Sequence, residues 1–441
     1  MKKLVLLLLI FFYPHCSFDN KSGIWTNSNK VDSEKSKRFK DFETLYTKEK
    51  SFNRIVSPKK NLNLLLEPTE NAKRWQDEFY QETNNLNNFQ YEYLNETIFK
   101  SKKLSRHKTN EKILFDGDNL VATDIKGNII VYSISKNKIT LKYNFYKKQF
   151  KKTKKNINIL IENNILYASD NLGYLYALNY KDNKLLWAKN FKIPFRSNIK
   201  IFENKIIAAN QDNTLYVFNK FNGIKLRYIP TEGTTVKNYF VNSLASAKKS
   251  LFFLNTFGTI YSINKDNLQV NWFSNLRETF DLSTSNLFFS NPVVINKDKV
   301  IISTDPYLYI LNFENGAISL RMSITSIVRP IVSGENLFLI TKDNLLVCLN
   351  INTNKVIYSV DISNEIADFL GTKNKSIDIK YLSLASDNLL IFLNNSYLVI
   401  FNKNAKIEKI EKLKEKLETF PIFINKSLLF LNKQNKIIVL N

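Results

Sequence analysis

One six-residue pattern recurs down the chain and limits the fold more than any other feature. In YLYALN (Tyr174–Asn179) apolar residues flank an aromatic, an Asn closes the run, and a strand ending at Trp187 follows. Related runs are NIIVYS (Asn128–Ser133), TLYVFN (Thr214–Asn219), TIYSIN (Thr259–Asn264), YLYILN (Tyr307–Asn312), LLVCLN (Leu345–Asn350), YLVIFN (Tyr397–Asn402) and KIIVLN (Lys436–Asn441). The eight copies begin 38 to 52 residues apart. A period of that size means a propeller or a solenoid, because one such unit cannot bury its apolar faces alone.

The unit is clearest over Asn291–Ile324. Asn-Pro-Val-Val-Ile reads as a first strand, Lys299–Thr304 as a second, Tyr307–Asn312 as a third and Ala317–Met322 as a fourth. Asn, Asp, Lys and Gly fill the turns between them, as tight hairpins require. Four short antiparallel strands per repeat make a propeller blade. The chain has only 10 glycines, so Asn is expected at many left-handed turn positions, which it tolerates best after Gly. The expected fold is therefore all-β, an eight-bladed β-propeller of four-stranded blades over residues 71–441. No Gly-His…Trp-Asp signature and no double Gly accompanies the repeats.

The last copy supplies only three strands, Phe420–Ile424, Ser427–Leu431 and Lys436–Asn441. An open ring would leave two raw strand edges. A closing N-terminal strand is expected from Lys73–Phe79, whose Trp75 would take the place that Trp187 and Trp272 hold in their blades.

Upstream, Met1-Lys-Lys and the apolar Leu4–Phe12 read as a secretory signal. About nine apolar residues are too few for a bilayer that needs about 20. Cys16 follows at once, in the place of a lipidated Cys, although Tyr13, Pro14 and His15 depart from the usual residues before such a Cys. Residues 1–16 are thus expected to be a signal. Residues 17–70, rich in Asn, Ser, Lys and Glu, read as a tether with a short helix carrying Phe39, Phe42, Leu45 and Tyr46 on one face. The other cysteine, Cys348, falls inside a repeat strand and reads as a small buried apolar residue.

The formal charge is +24, from 64 Lys and Arg against 40 Asp and Glu. The lysines are scattered through turns, where they keep a β-rich surface soluble. Lys147–Lys155 is the one true basic run. Export weighs against nucleic acid as the partner.

Catalytic constellations are lacking. Only His15 and His107 exist, so neither a clustered His metal site nor a triad away from His107 can be assembled. No phosphate loop or EF-hand loop is present, and Asp116-Gly-Asp118 reads as a turn between strands. No cofactor is expected from the residues. Length variation instead places insertions between blades at Lys147–Asn156, Pro230–Ser243, Arg277–Ser290 and Ser363–Asp378. Binding is disproportionately carried by such loops, and Arg277–Ser290 and Thr234–Phe240 mix apolar, aromatic and charged residues as a protein partner would require.

Tyr174–Trp187, and less fully Thr214–Leu226 and Tyr307–Leu320, resembles the repeat of the pyrroloquinoline-quinone (PQQ)-like propellers over about residues 72–441. Two kinds of protein in that superfamily differ in function. Quinoprotein dehydrogenases resemble the chain in blade sequence, and the resemblance would imply a bound quinone with Ca²⁺. Many carry a vicinal disulfide, and this chain has no Cys-Cys pair. The other kind is the BamB-type outer-membrane assembly lipoprotein, similar in signal plus Cys, short tether and eight blades. That resemblance implies a cofactor-free monomeric scaffold, lipid-anchored through Cys16 at the periplasmic face of the outer membrane. Its partner would be the POTRA region of a BamA-like barrel protein, with the other members of the assembly machinery. Family contacts come from mid-chain inter-blade loops. Their counterparts here are Val236, Lys237, Asn238 and Tyr239 in the first loop, with Arg277, Glu278 and Asp281 in the second.

Overall fold

The computed structural model describes residues 17–18, 25–26, 51–146, 148–229, 231–232, 240–277, 287–373 and 376–441. Two units are distinguished, residues 1–50 and residues 51–441. In the first, Ser17–Phe18 pairs with Trp25–Thr26. The expected helix over Phe39–Tyr46 lies outside the described residues. No helix among them is long and apolar enough to cross a membrane.

The second unit is an eight-bladed β-propeller. Every copy of the six-residue pattern forms the third strand of a blade, from Ile129–Ser133 in blade 1 to Ile437–Leu440 in blade 8. Blade 5 follows the sequence reading, with strands Val294–Asn296, Lys299–Ser303, Leu308–Asn312 and Ile318–Met322.

The Asn that closes the pattern has a local cause. Its side-chain oxygen accepts from main-chain N–H groups two and three residues on, capping the turn to the fourth strand. Asn179 does so for Lys181 and Asp182, Asn312 for Glu314 and Asn315, and Asn350 for Asn352 and Thr353. Such Asx turns replace a main-chain turn without glycine. Eleven asparagines among the described residues also hold positive φ, as expected from the scarcity of Gly.

The tryptophans link blades. Trp187 of blade 2 donates from Nε1 to Lys220 O in the blade 3 turn, and Trp272 of blade 4 donates to Phe313 O in the blade 5 turn, both at 3.0 Å. Each ring lies on a glycine of positive φ. A Cβ on Gly223 or Gly316 would sit 2.4 Å from the ring, so that turn can accept the neighbouring Trp only with Gly there.

The closing strand expected from Lys73–Phe79 is not beside the last blade. Arg74–Trp75 pairs instead with the inner strand of blade 1, Arg74 opposite Asp116 and Trp75 opposite Phe115. The strand bonded to Ile437–Leu440 is Thr97–Lys100, with Val439 opposite Phe99. Phe99 reaches the ring of Tyr132 in blade 1, with centroids 6.2 Å apart, and so does what the tryptophans do elsewhere. Trp75 is drawn to the axis because three aromatic rings meet it there: Tyr80, Phe89 and Phe420, at 4.6, 5.5 and 6.2 Å.

Candidate functional site: the axis and the inter-blade rim

The inner strands of all eight blades face the propeller axis, and residues 72–91 lie across it. Beyond the two-residue strand Arg74–Trp75 the segment has no regular structure of its own, so its polar groups must be satisfied by the blades. Gln76 O accepts from Ile161 of blade 2, Glu82 O from Ser246 of blade 4 and Thr83 O from Ile295 of blade 5. Asn84 Nδ2 donates to Leu244 O and Val293 O. Asn85 exchanges two hydrogen bonds with Val332 of blade 6, mimicking a strand partner with its amide. Phe89 bridges to Leu384 and Ser386 of blade 7, and Ala72 O accepts from Asn425 of blade 8. Blade 3 holds it through Lys200. That buried ammonium donates to Asp77 Oδ2 at 2.7 Å, Asn84 Oδ1 at 2.8 Å and Gln81 O at 3.1 Å, using all three protons.

These contacts fall near the turns between first and second strands. At the other end, where the chain crosses between blades, the axis stays open. Two adjoining cavities lie there, of about 340 Å³ and 200 Å³, sharing Phe79, Glu111 and Lys112 in their walls. Lys112 Nζ stands 4.3 Å from the Phe79 ring centre, and the Arg329 guanidinium 5.4 Å from it. Arg329 Nη1 donates to Phe79 O and Asn84 O. Burial pushes the Arg329 pKa down to about 10 and lowers that of Lys112. Glu78, buried and accepting from Ile159 N–H at 2.8 Å, is pushed up to about 7 by loss of solvent.

The rim beside this mouth carries the two insertions singled out from sequence. Their described ends meet. Phe240 and Phe289 contact edge to face with centroids 4.9 Å apart. Asn242 Nδ2 donates to Phe288 O, and Asn242 Oδ1 accepts from Ser290 N. Glu232 Oε2 accepts from Asn255 and Thr259 of blade 4. Arg277 lies half-buried at the head of the second loop, its N–H bonded to Asn275 Oδ1. Val236, Lys237, Asn238, Tyr239, Glu278 and Asp281 lie outside the described residues, as does Cys16.

Two other readings gain detail. Asp116-Gly-Asp118 is a turn, with Asp118 accepting from Ser133 and Ser135. The basic run does not face solvent throughout, because Lys155 is buried and bonds to Phe150 O beneath the Tyr146 ring. Cys348 is free and buried.

A family model described as outer membrane protein assembly factor BamB matches residues 151–360. Over those residues the chain is similar to that family. The crystal structure of BamB from Moraxella catarrhalis superposes with a TM-score of 0.61 at 12% identity, covering 77% of this chain and 99% of that one. A europium-containing methanol dehydrogenase gives 0.58 at 9% identity, covering 83% and 89%. The quinohemoprotein alcohol dehydrogenase from Comamonas testosteroni gives 0.59 at 8%, covering 84% and 81%. At such identities the likeness is one of fold. No curated protein matches the sequence.

The quinoprotein relatives raise the question of a quinone–Ca²⁺ pair. Among the described residues no three His, Cys, Asp or Glu are gathered as metal ligands. Of the carboxylates at the mouth, Glu78 is engaged by Ile159 N–H and Glu111 by the Tyr381 hydroxyl at 2.6 Å. The mouth does not fit such a pair.

Residues 76–91, with Lys200 and Arg329, are the part sequence reasoning missed. The run QETNNLNNF (Gln81–Phe89) was the available signal, but Asn is common throughout the chain and hid it.

Proposed function

We propose that this propeller is a non-enzymatic scaffold of outer-membrane β-barrel assembly. It docks through the rim loops 230–243 and 277–290 onto the periplasmic POTRA region of a BamA-like barrel protein, and Cys16 carries the lipid that holds it at the periplasmic face. The observation that carries the reading is the assembly-factor match over residues 151–360, which spans both loops. The joined Phe240 and Phe289 at the mouth agree with it, as does an axis crossed by the chain's own residues. Rim aromatics of this kind suit a protein partner.

The test is a crosslinking pull-down from envelope membranes. A BamA-like protein is expected with the wild-type chain. It should be lost when Thr234–Tyr239 and Glu278–Leu282 are replaced by Gly/Ser while the propeller still melts at the same temperature. Undiminished recovery with both loops replaced would remove the docking site from the rim. The competing quinoprotein reading draws on the two dehydrogenases of like fold. It requires saturable PQQ binding in the presence of Ca²⁺, and a flat isotherm is expected.

A further inference from the structure

Two of the eight inner strands break the regular pairing of the blades. In Thr109–Asp116 of blade 1, Thr109 lies opposite Asp124 and Ile113 opposite Ala122. Asn110, Glu111 and Lys112 thus occupy a stretch that Thr123 alone spans on the next strand. In Ile379–Ala385 of blade 7 the register slips between Ile379 and Tyr381, and Lys380 has no partner in the ladder. Among the described residues the other six inner strands pair without a slip. Such bulges re-aim side chains, and both of these aim at one place. The smaller cavity at the mouth, of about 200 Å³, has Glu111, Lys112, Lys380 and Tyr381 in its wall. The Tyr381 hydroxyl donates to Glu111 at 2.6 Å and ties the two bulges together, one on either side of blade 8.

The wall of that cavity carries three cations, Lys112, Arg329 and Lys380, against the single carboxylate of Glu111. Lys380 is engaged, donating to Leu417 O and Glu418 O at 3.0 and 2.9 Å. Arg329 uses only Nη1, on Phe79 O and Asn84 O. Among the described residues Lys112 makes no hydrogen bond or ion pair, and its ammonium rests 4.3 Å from the centre of the Phe79 ring. The neighbouring carboxylates are held elsewhere, Glu111 by Tyr381, Glu78 by Ile159 N–H and Asp77 by Lys200. Loss of solvent loosens the hold of Lys112 on its proton, and the Arg329 charge loosens it further. Keeping two cations in such a place is costly without a counter-charge. Val328, Leu382 and Phe420 make the rest of the wall apolar, and an apolar pocket with a few convergent polar groups is the usual form of a ligand site.

We propose that this cavity binds a small organic monocarboxylate, its carboxylate between Lys112 and Arg329 and its apolar part against Val328 and Leu382. The planar guanidinium matches a carboxylate in shape, and the ammonium supplies a point charge. A dianion such as phosphate would set its second charge against Glu111. The site rests on the cavity wall alone and not on the assembly reading, so loss of either leaves the other standing.

Isothermal titration calorimetry of the full chain with sodium 3-methylbutanoate tests it. Saturable one-to-one binding is expected, weakened at least tenfold by Lys112→Met. Because Lys112 bonds to nothing else in the described protein, that variant should melt no lower than the wild type. Lys112→Arg keeps the charge and should retain most of the affinity. The uncharged 3-methylbutanamide should bind at least tenfold more weakly than the acid. Equal affinity of wild type and Lys112→Met would overturn the proposal, as would equal affinity for acid and amide, or no saturable heat at tens of millimolar acid. Inorganic phosphate binding as tightly as the acid would overturn it in favour of an unselective anion site.

Discussion

Two non-repetitive parts of this propeller meet at the same mouth and are built in opposite ways. Residues 72–91 on the axis are core-like: Asp77 is paired with Lys200 and Glu82 with Lys265, the amides of Asn84 and Asn85 are matched to blade strands, and Trp75 is 1% exposed. The rim at Phe240 and Phe289 is held by a few contacts of its own, and Phe289 is 61% exposed. The first arrangement fixes the ring; the second leaves apolar surface for something else. Stability and binding should therefore separate cleanly between them.

The sharpest break would come from Trp75→Ala. Emptying a fully buried indole site among Tyr80, Phe89 and Phe420 should cost about 3–5 kcal/mol, read as a large drop in denaturant midpoint. A midpoint unchanged from wild type would mean that the axial segment does not hold the ring.

Lys200→Met follows, at about 3 kcal/mol. It leaves Asp77 buried without its partner and removes the bonds to Gln81 and Asn84. Adding Asp77→Asn should restore part of the stability. If the double variant is no better than the single one, the ion pair is not what pins the segment to blade 3.

Glu78 gives a smaller and pH-dependent effect. Its folded pKa of about 7 lies above the 4.5 of an ordinary Glu, so the folded protein holds this proton more tightly than the unfolded chain. Its contribution to stability is present in full below pH 4.5 and is lost as pH rises through about 7. Glu78→Gln keeps an acceptor for Ile159 N–H and cannot ionise. The variant should be more stable than wild type by about 1–3 kcal/mol at pH 8, with no difference at pH 4. An equal gain at both pH values would put the effect in packing rather than charge.

The contrast between axis and rim also explains what was legible in the sequence. Third strands recur eight times, turn-capping asparagines in most blades and inter-blade tryptophans twice, and a physical requirement that recurs can be read from one chain. The axial segment occurs once. Its recognition depends on Asn84, Asn85 and Asn88 finding blades 160 to 300 residues away, which no local period reports. Trp75 misled for a related reason. It carries the right residue type for a blade position, but burial at the axis outweighs that local likeness, and the less conspicuous Phe99 takes the place beside Val439.

The smallest effect on the fold is expected at Phe289. Its ring touches Phe240 but is mostly in solvent, so Phe289→Ala should change stability by no more than about 0.5 kcal/mol. If the rim is the docking surface, the same change should weaken binding to the POTRA region of a BamA-like protein by about 2 kcal/mol, roughly 30-fold, as loss of a central aromatic anchor does. Surface plasmon resonance with the wild-type and variant chains separates the outcomes. Weakened binding with an unshifted melting curve would assign the rim to recognition. A shifted melting curve with binding intact would show instead that Phe240 and Phe289 belong, like Trp75, to the structure of the ring.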